Sequence, residues 1–210
     1  LRYAAVTALP NAPHGLNMGF MEAFVSSTFS IAATEIGDKT QLLALLLASR
    51  FSQKNAVVAG IFMATLLNHI LSTVLGIWLA QTLSPQTVKW IVGLSFIVMG
   101  LWLLLPGKIN ALNERWLKYG AFGATAILFF IAEIGDKTQV ATIVMAVKYQ
   151  EMFWVITGSV LGLLLANVPI VYFGEALIKR IPAQILRMGA SAAFCILGVL
   201  TLLGGGIALQ

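Results

Sequence analysis

The heptapeptide Glu35-Ile36-Gly37-Asp38-Lys39-Thr40-Gln41 recurs without change as Glu133-Ile134-Gly135-Asp136-Lys137-Thr138-Gln139. Each copy packs two carboxylates, an ammonium, a hydroxyl and an amide into an otherwise apolar stretch. A spacing of three places Glu and Asp on one helix face, a turn apart, and Lys39 and Lys137 follow their glutamates at the four-residue spacing that favours an ion pair. Four carboxylates against two ammonium groups leave a net charge of −2, which balances one divalent cation or two protons. Oxygen donors select hard cations such as Ca²⁺, Mg²⁺ and Mn²⁺. The same carboxylates take protons, so cation and proton compete for Glu35, Asp38, Glu133 and Asp136, the minimum requirement of a cation/proton antiporter. The structural alternative is an ion-pair clamp between helices. A clamp would more simply pair charges one to one, whereas two carboxylates are left over here.

Further polar groups surround the acids. Gly37 and Gly135 permit either close helix approach or a local break that frees a carbonyl for an ion. Thr40, Thr138, Gln41 and Gln139 offer neutral oxygens, although a threonine more commonly bonds its own helix backbone. Asn68 and His69 fall in the middle of one apolar run and Asn167 in another. An interhelical hydrogen bond competes with an ion-ligand role for the amides. For His69, ligation of Mn²⁺ or proton relay competes with a satisfied structural histidine. The one cysteine, Cys195, lies away from the motifs and reads as a small core residue. No Walker loop, dinucleotide fingerprint, HExxH pair or serine elbow is present.

The elements that carry these groups are membrane helices. Of 210 residues, 59% are hydrophobic and only 10% charged, where soluble domains carry about 25%. The stretches from Asn55 to Val88 and from Met152 to Gly174 contain no charged residue and exceed the roughly 20 residues a helix needs to cross the hydrocarbon. A charge at the bilayer centre costs at least about 2.5–3.5 kcal/mol on insertion scales, so intramembrane acids mark ion pathways. Charge and turn residues divide the chain into six segments, near 21–49, 55–81, 87–105, 118–147, 152–177 and 184–207. The net charge of +5 does not point to nucleic acid, because the cations cluster at the ends of the apolar runs.

The heptapeptide is part of a longer repeat. A shift of 98 residues also carries Arg50 onto Lys148, Gly60 onto Gly158, Gly76 onto Gly174, Lys89 onto Arg187 and Gly100 onto Gly198. It places His69 on Asn167 and Asn68 on Ala166, where the match is inexact. Three helices per copy force the second copy to enter the membrane from the opposite side, so the expected fold is an all-α integral membrane protein of six transmembrane helices in two inverted three-helix repeats. The corresponding regions are an N-terminal extension over 1–17, a first repeat over 18–107, a connection over 108–117 and a second repeat over 118–210. Arg50, Lys54, Lys108, Arg115, Lys118, Lys179, Arg180 and Arg187 fall on one side, and Arg2, Lys89 and Lys148 on the other. The richer side is expected to be cytoplasmic, with both termini on the opposite side.

The doubled Glu-x-Gly-Asp-Lys-Thr resembles the signature of the Ca²⁺/Mn²⁺:H⁺ exchangers of the second cation/calcium exchanger family, which includes bacterial manganese exporters and the Golgi transmembrane protein one-six-five. The resemblance covers about residues 18–207. It implies export of Mn²⁺ or Ca²⁺ from the cytoplasm, with Glu35, Asp38, Glu133 and Asp136 as ion-binding acids and the neighbouring Lys and Thr structural or gating. The expectation is a transporter, not an enzyme, without a cofactor, whose partners are the lipid bilayer, divalent cations and protons. Short loops favour a bacterial inner membrane. A passive divalent-cation channel is the alternative, and an intramembrane aspartyl protease using Asp38 and Asp136 is a more distant one.

Overall fold

A computed structural model describes residues 14–105, 114–174 and 183–203. Helices account for nearly all of them: α1 His14–Glu35, α2 Lys39–Arg50, α3 Lys54–Thr82, α4 Pro85–Leu103, a 3₁₀ turn at Glu114–Tyr119, α5 Gly120–Glu133, α6 Lys137–Tyr149, α7 Met152–Phe173 and α8 Ala183–Leu203. No strand occurs among the described residues. Residues 1–13 of the expected N-terminal extension, and most of the expected connection over 108–117, lie outside the described residues, and α1 already runs from His14. Of the cations used to orient the chain, Arg2, Lys108, Lys179 and Arg180 also lie outside them.

Local chemistry sets several of these boundaries. Ser84 caps α4, its Oγ accepting from the Thr87 amide at 3.2 Å, and Pro85 follows at the first helical position, where a missing N–H costs nothing. Two segments that the apolar pattern reads as continuous, 21–49 and 118–147, are each broken at the heptapeptide. Gly37 and Gly135 adopt φ of 74° and 72°, a left-handed conformation that a non-glycine residue enters only with strain. This corrects the expectation that Glu and Asp share one helix face a turn apart, because each Glu ends one helix and each Asp precedes the next.

Among the described residues, three helices are long and apolar enough to cross a bilayer: Lys54–Thr82, Pro85–Leu103 and Met152–Phe173. The pair Arg115–Glu133 and Lys137–Tyr149, bent by 70°, makes a fourth if taken as one span. The first and sixth expected segments fall short. Glu22, Ser26, Ser27, Thr28, Ser30 and Thr34 dilute α1, and the apolar part of α8 counts only from Met188 to Leu203.

The outside is apolar, and the interior mixes an apolar core with many buried polar groups. Ser27, Thr65, Thr73, Thr125, Ser159 and Asn167 are buried, whereas Phe29, Leu71, Trp78, Val98, Phe153 and Leu165 are exposed. So apolar an exterior suits a lipid surround. Small residues let the helices approach closely. A Cβ at Gly60 would lie 2.7 Å from the Phe122 carbonyl and 2.7 Å from Thr125 Cβ, and one at Gly158 2.5 Å from the Phe24 carbonyl and 3.0 Å from Ser27 Cβ. Phe24, Ser27 and Gly60 are each 98 residues before Phe122, Thr125 and Gly158, so α1–α7 and α5–α3 are matching contacts. Gly93 and Gly100 of α4 meet α8 in the same manner.

One matched pair differs. A Cβ at Gly76 would lie 2.6 Å from both Ala146 Cβ and the Ile143 carbonyl, so α3 is sealed against α6. At Gly174 the nearest described atom is a Leu45 methyl carbon at 3.8 Å.

Candidate cation site

The two breaks bring four helix ends together. α1 and α5 end at Glu35 and Glu133, and α2 and α6 begin just after Asp38 and Asp136. Helix C-termini carry partial negative charge and N-termini partial positive charge. The glutamates therefore sit where a cation is favoured, and the aspartates where an anion is. All four acids are buried, Glu35 completely and Asp136, the most accessible, at 7%.

Each break is held by its own motif. The Gly37 amide donates to Gln41 Oε1 at 2.7 Å, and the Gly135 amide to Gln139 Oε1 at 2.8 Å. Asp38 N–H bonds the Glu35 carbonyl at 3.0 Å and Asp136 N–H the Glu133 carbonyl at 3.1 Å. The carbonyls of Ala33, Thr34, Ile131 and Ala132 thus lose the donors a continuous helix would give them. Of the two roles open to the glycines, the break is the one observed. The glutamine oxygens serve as caps for those amides, not as open ligands. Thr40 and Thr138 donate their hydroxyls to Glu35 Oε1 and Glu133 Oε2 rather than to their own helix backbone.

The lysines cross between motifs. Lys137 Nζ lies 2.8 Å from Asp38 Oδ1 and Lys39 Nζ 3.1 Å from Asp136 Oδ1. The expected pairing of each lysine with the glutamate four residues before it does not occur, because the break removes the helical turn that would align them. Among the described residues, no three His, Cys, Asp or Glu side chains converge to hold a metal ion. The ammonium groups occupy one oxygen of each aspartate. The other aspartate oxygens, with Glu35 Oε2 and Glu133 Oε1, are buried without hydrogen-bond partners among the described residues.

The three candidates outside the heptapeptides reach this region unequally. Asn167 Nδ2 donates to Glu35 Oε1 at 2.7 Å and to the Leu163 carbonyl at 3.1 Å. Asn68 acts as an interhelical tie, donating to the Phe130 carbonyl at 3.3 Å and accepting from Gln139 Nε2 at 3.5 Å. Gln41 Nε2 makes the corresponding tie to the Ala166 carbonyl at 3.0 Å. His69, 2% exposed, bonds Thr142 Oγ1 through Nδ1 at 2.8 Å. Its Nε2 has no partner among the described residues.

A polar cluster at the far end of α6 is not anticipated by the motif. Tyr149 Oη accepts from Lys148 Nζ at 2.7 Å and contacts Ser26 Oγ at 2.9 Å and Glu22 Oε1 at 3.1 Å, and Lys148 lies 3.5 Å from Glu22. These groups, with Ser30 and Met145, line a cavity of about 380 Å³. The four-residue spacing of Glu22, Ser26 and Ser30 is the sequence signal that marks this face.

Comparison with known proteins returns one family. The profile of the family described as "Divalent cation/proton antiporter GDT1" matches residues 23–111 and 121–207, two stretches that begin at the 98-residue offset of the repeat. A Vibrio cholerae protein named "Putative manganese exporter" is 43% identical over 182 residues, covering 86% of this chain and 90% of its own length. The Arabidopsis thaliana "GDT1-like protein 5" is 27% identical, covering 87% of this chain and 96% of its own. The Saccharomyces cerevisiae "Divalent cation/proton antiporter GDT1" is 23% identical, covering 94% and 90%. No solved structure matches the chain. With apolar helices long enough to span a bilayer, two copies of an acid-bearing broken helix and a family profile covering most of its length, the chain is an integral membrane protein that belongs to the GDT1 family of divalent cation/proton antiporters.

Proposed function

We propose that the protein exports a divalent cation, Mn²⁺ or Ca²⁺, from the cytoplasm in exchange for protons, with Glu35, Asp38, Glu133 and Asp136 as the acids that bind both. The observation that carries this reading is the cross-pairing of Lys39 with Asp136 and of Lys137 with Asp38. Two identical motifs from opposite halves thereby share one site, and two tethered ammonium groups stand where an incoming cation would. In this mechanism the cation displaces the ammonium groups from the aspartates. The glutamates lose their protons as the cation enters and regain them after it leaves. Carbonyls freed at the breaks supply neutral oxygens, as unwound backbone does in other transporters built from inverted repeats. The amide of Asn167 positions Glu35.

The reading includes the finer architecture: two inverted repeats of three spans, the second beginning near Lys118, with the Arg50 and Lys54 end facing the cytoplasm and both termini on the other side of a bacterial inner membrane.

The test is transport by the purified protein in liposomes. Wild type is expected to move Mn²⁺ or Ca²⁺ when a pH gradient is imposed and to acidify the compartment that the metal leaves. Glu35→Gln and Glu133→Gln are expected to abolish exchange, because each keeps the side-chain shape and removes a carboxylate that both proton and cation need. Normal transport by both variants would end the proposal. Metal flux without proton movement would establish the channel instead.

A further inference from the structure

We infer that His69 supplies the one nitrogen ligand in this otherwise oxygen-lined site, and that it makes the site prefer Mn²⁺ over Ca²⁺. The inference rests on the exporter reading above and adds to it the residue that chooses the cation.

One tautomer satisfies both hydrogen bonds of the Thr142 hydroxyl. Thr142 Oγ1 donates its single hydrogen to the Thr138 carbonyl at 2.9 Å. Toward His69 Nδ1, 2.8 Å away, the hydroxyl can then act only as an acceptor, so Nδ1 carries the ring proton. In the neutral imidazole this leaves the lone pair on Nε2. That atom is buried and has no partner among the described residues. An imidazole whose N–H is held by a second group while the opposite nitrogen stands open is the arrangement found at metal-binding histidines.

The repeat gives His69 the position that Asn167 holds in the other half. His69 is the 98-residue counterpart of Asn167, and Asn167 Nδ2 donates to Glu35 Oε1 at 2.7 Å. The corresponding glutamate in the other half, Glu133, receives Thr138 on Oε2, but its Oε1 is buried without a donor among the described residues. Thr138 and Thr142 are one turn apart on α6, so the residues that hold Glu133 and His69 are neighbours. One half of the site thus joins an amide donor to its glutamate, and the other carries at the matching position an imidazole held by Thr142, one turn along α6 from the threonine that holds its glutamate. Two buried acceptors without a donor are costly, and a cation taken up by both removes that cost. The asymmetry has a chemical consequence. Imidazole nitrogen suits first-row transition ions, while Ca²⁺ and Mg²⁺ take oxygen almost exclusively.

The chain has two histidines, His14 and His69, which makes the test direct. Wild-type protein with ¹⁵N-labelled histidine, in detergent with Mn²⁺ alone, is examined by pulsed electron paramagnetic resonance. A histidine nitrogen coupled to the bound Mn²⁺ is expected, retained in His14→Ala and lost in His69→Asn, which installs the side chain of the other half. In liposomes, His69→Asn is expected to lower the Mn²⁺/Ca²⁺ rate ratio by roughly tenfold or more. Bound Mn²⁺ without histidine coupling, or an unchanged rate ratio, overturns this inference and leaves the exporter reading standing. Wild-type protein that neither binds nor moves Mn²⁺ overturns the inference, and if it moves no Ca²⁺ either it overturns the exporter reading as well. The wild-type spectrum decides even if the variant fails to fold.

Discussion

Lys137 Nζ meets Asp38 Oδ1 at 2.8 Å with both side chains almost fully buried, whereas the equivalent Lys39 in its pair with Asp136 keeps 26% of its side chain exposed. Identical sequences therefore hold unequal ion pairs. Removing one partner of a buried pair strands the other charge and costs about 3–5 kcal/mol. Lys137→Met is expected to lose stability on that scale, and Lys39→Met less, because water screens what remains. Thermal unfolding of the two variants in detergent measures the difference. Adding Asp38→Asn to Lys137→Met should recover part of the loss, since the stranded charge is then gone.

Gly37 and Gly135 hold the breaks open with positive φ. An alanine in that conformation costs about 1–2 kcal/mol. At Gly135 an added Cβ would meet no described atom within 4 Å, so the whole effect there is on the backbone. Gly135→Ala is expected to fold with reduced stability and to lose transport, because a straightened helix draws the carbonyls of Ile131 and Ala132 back into its hydrogen-bond ladder. Circular dichroism with a parallel flux assay checks both halves of this expectation.

The close contacts at Gly60 and Gly158 leave no room for a methyl group beside the Phe122 and Phe24 carbonyls. Gly158→Ala, the tighter of the two, is expected to cost about 1–3 kcal/mol by forcing α1 and α7 apart. Gly19, with open space around it among the described residues, serves as the control. Gly19→Ala should be neutral or gain about 0.5–1 kcal/mol through helix propensity. Melting temperatures of the two variants, measured side by side, test the contrast.

Tyr149 joins Lys148, Glu22 and Ser26 through a single hydroxyl. Tyr149→Phe keeps the ring and deletes the hub, at a cost of about 0.5–1.5 kcal/mol for a partly exposed hydrogen-bonded group. The same unfolding assay reads this loss, and a change above about 3 kcal/mol, beyond the range of a single hydrogen bond, would show that the cluster does more than tie α1 to α6.

The doubled heptapeptide makes the acids, the repeat and the membrane setting legible from sequence, because charges in an apolar run are rare and a seven-residue identity is specific. The helix breaks are less so. Gly37 reads equally as a packing residue or a break, and only the path of its amide to Gln41 separates the two. The crossed lysine pairs are not legible at all. Spacing along one helix points Lys39 at Glu35, and the true partner, Asp136, belongs to the other half of the chain and is brought near by tertiary packing. Span count suffers from a related difficulty. Hydropathy adds up along the chain and does not register where the backbone turns.

The breaks at Gly37 and Gly135 have a consequence for how such a site can be dissected. Oxygens that belong to no side chain cannot be deleted by substitution. If the carbonyls of Ala33, Thr34, Ile131 and Ala132 share in holding the cation, a scan that replaces each side chain in turn passes over them, and their contribution is felt only at the two glycines that turn them free. Replacing those peptide bonds with esters, which weakens the carbonyl as an acceptor while leaving every side chain in place, reaches the part of the site that ordinary mutagenesis leaves untouched.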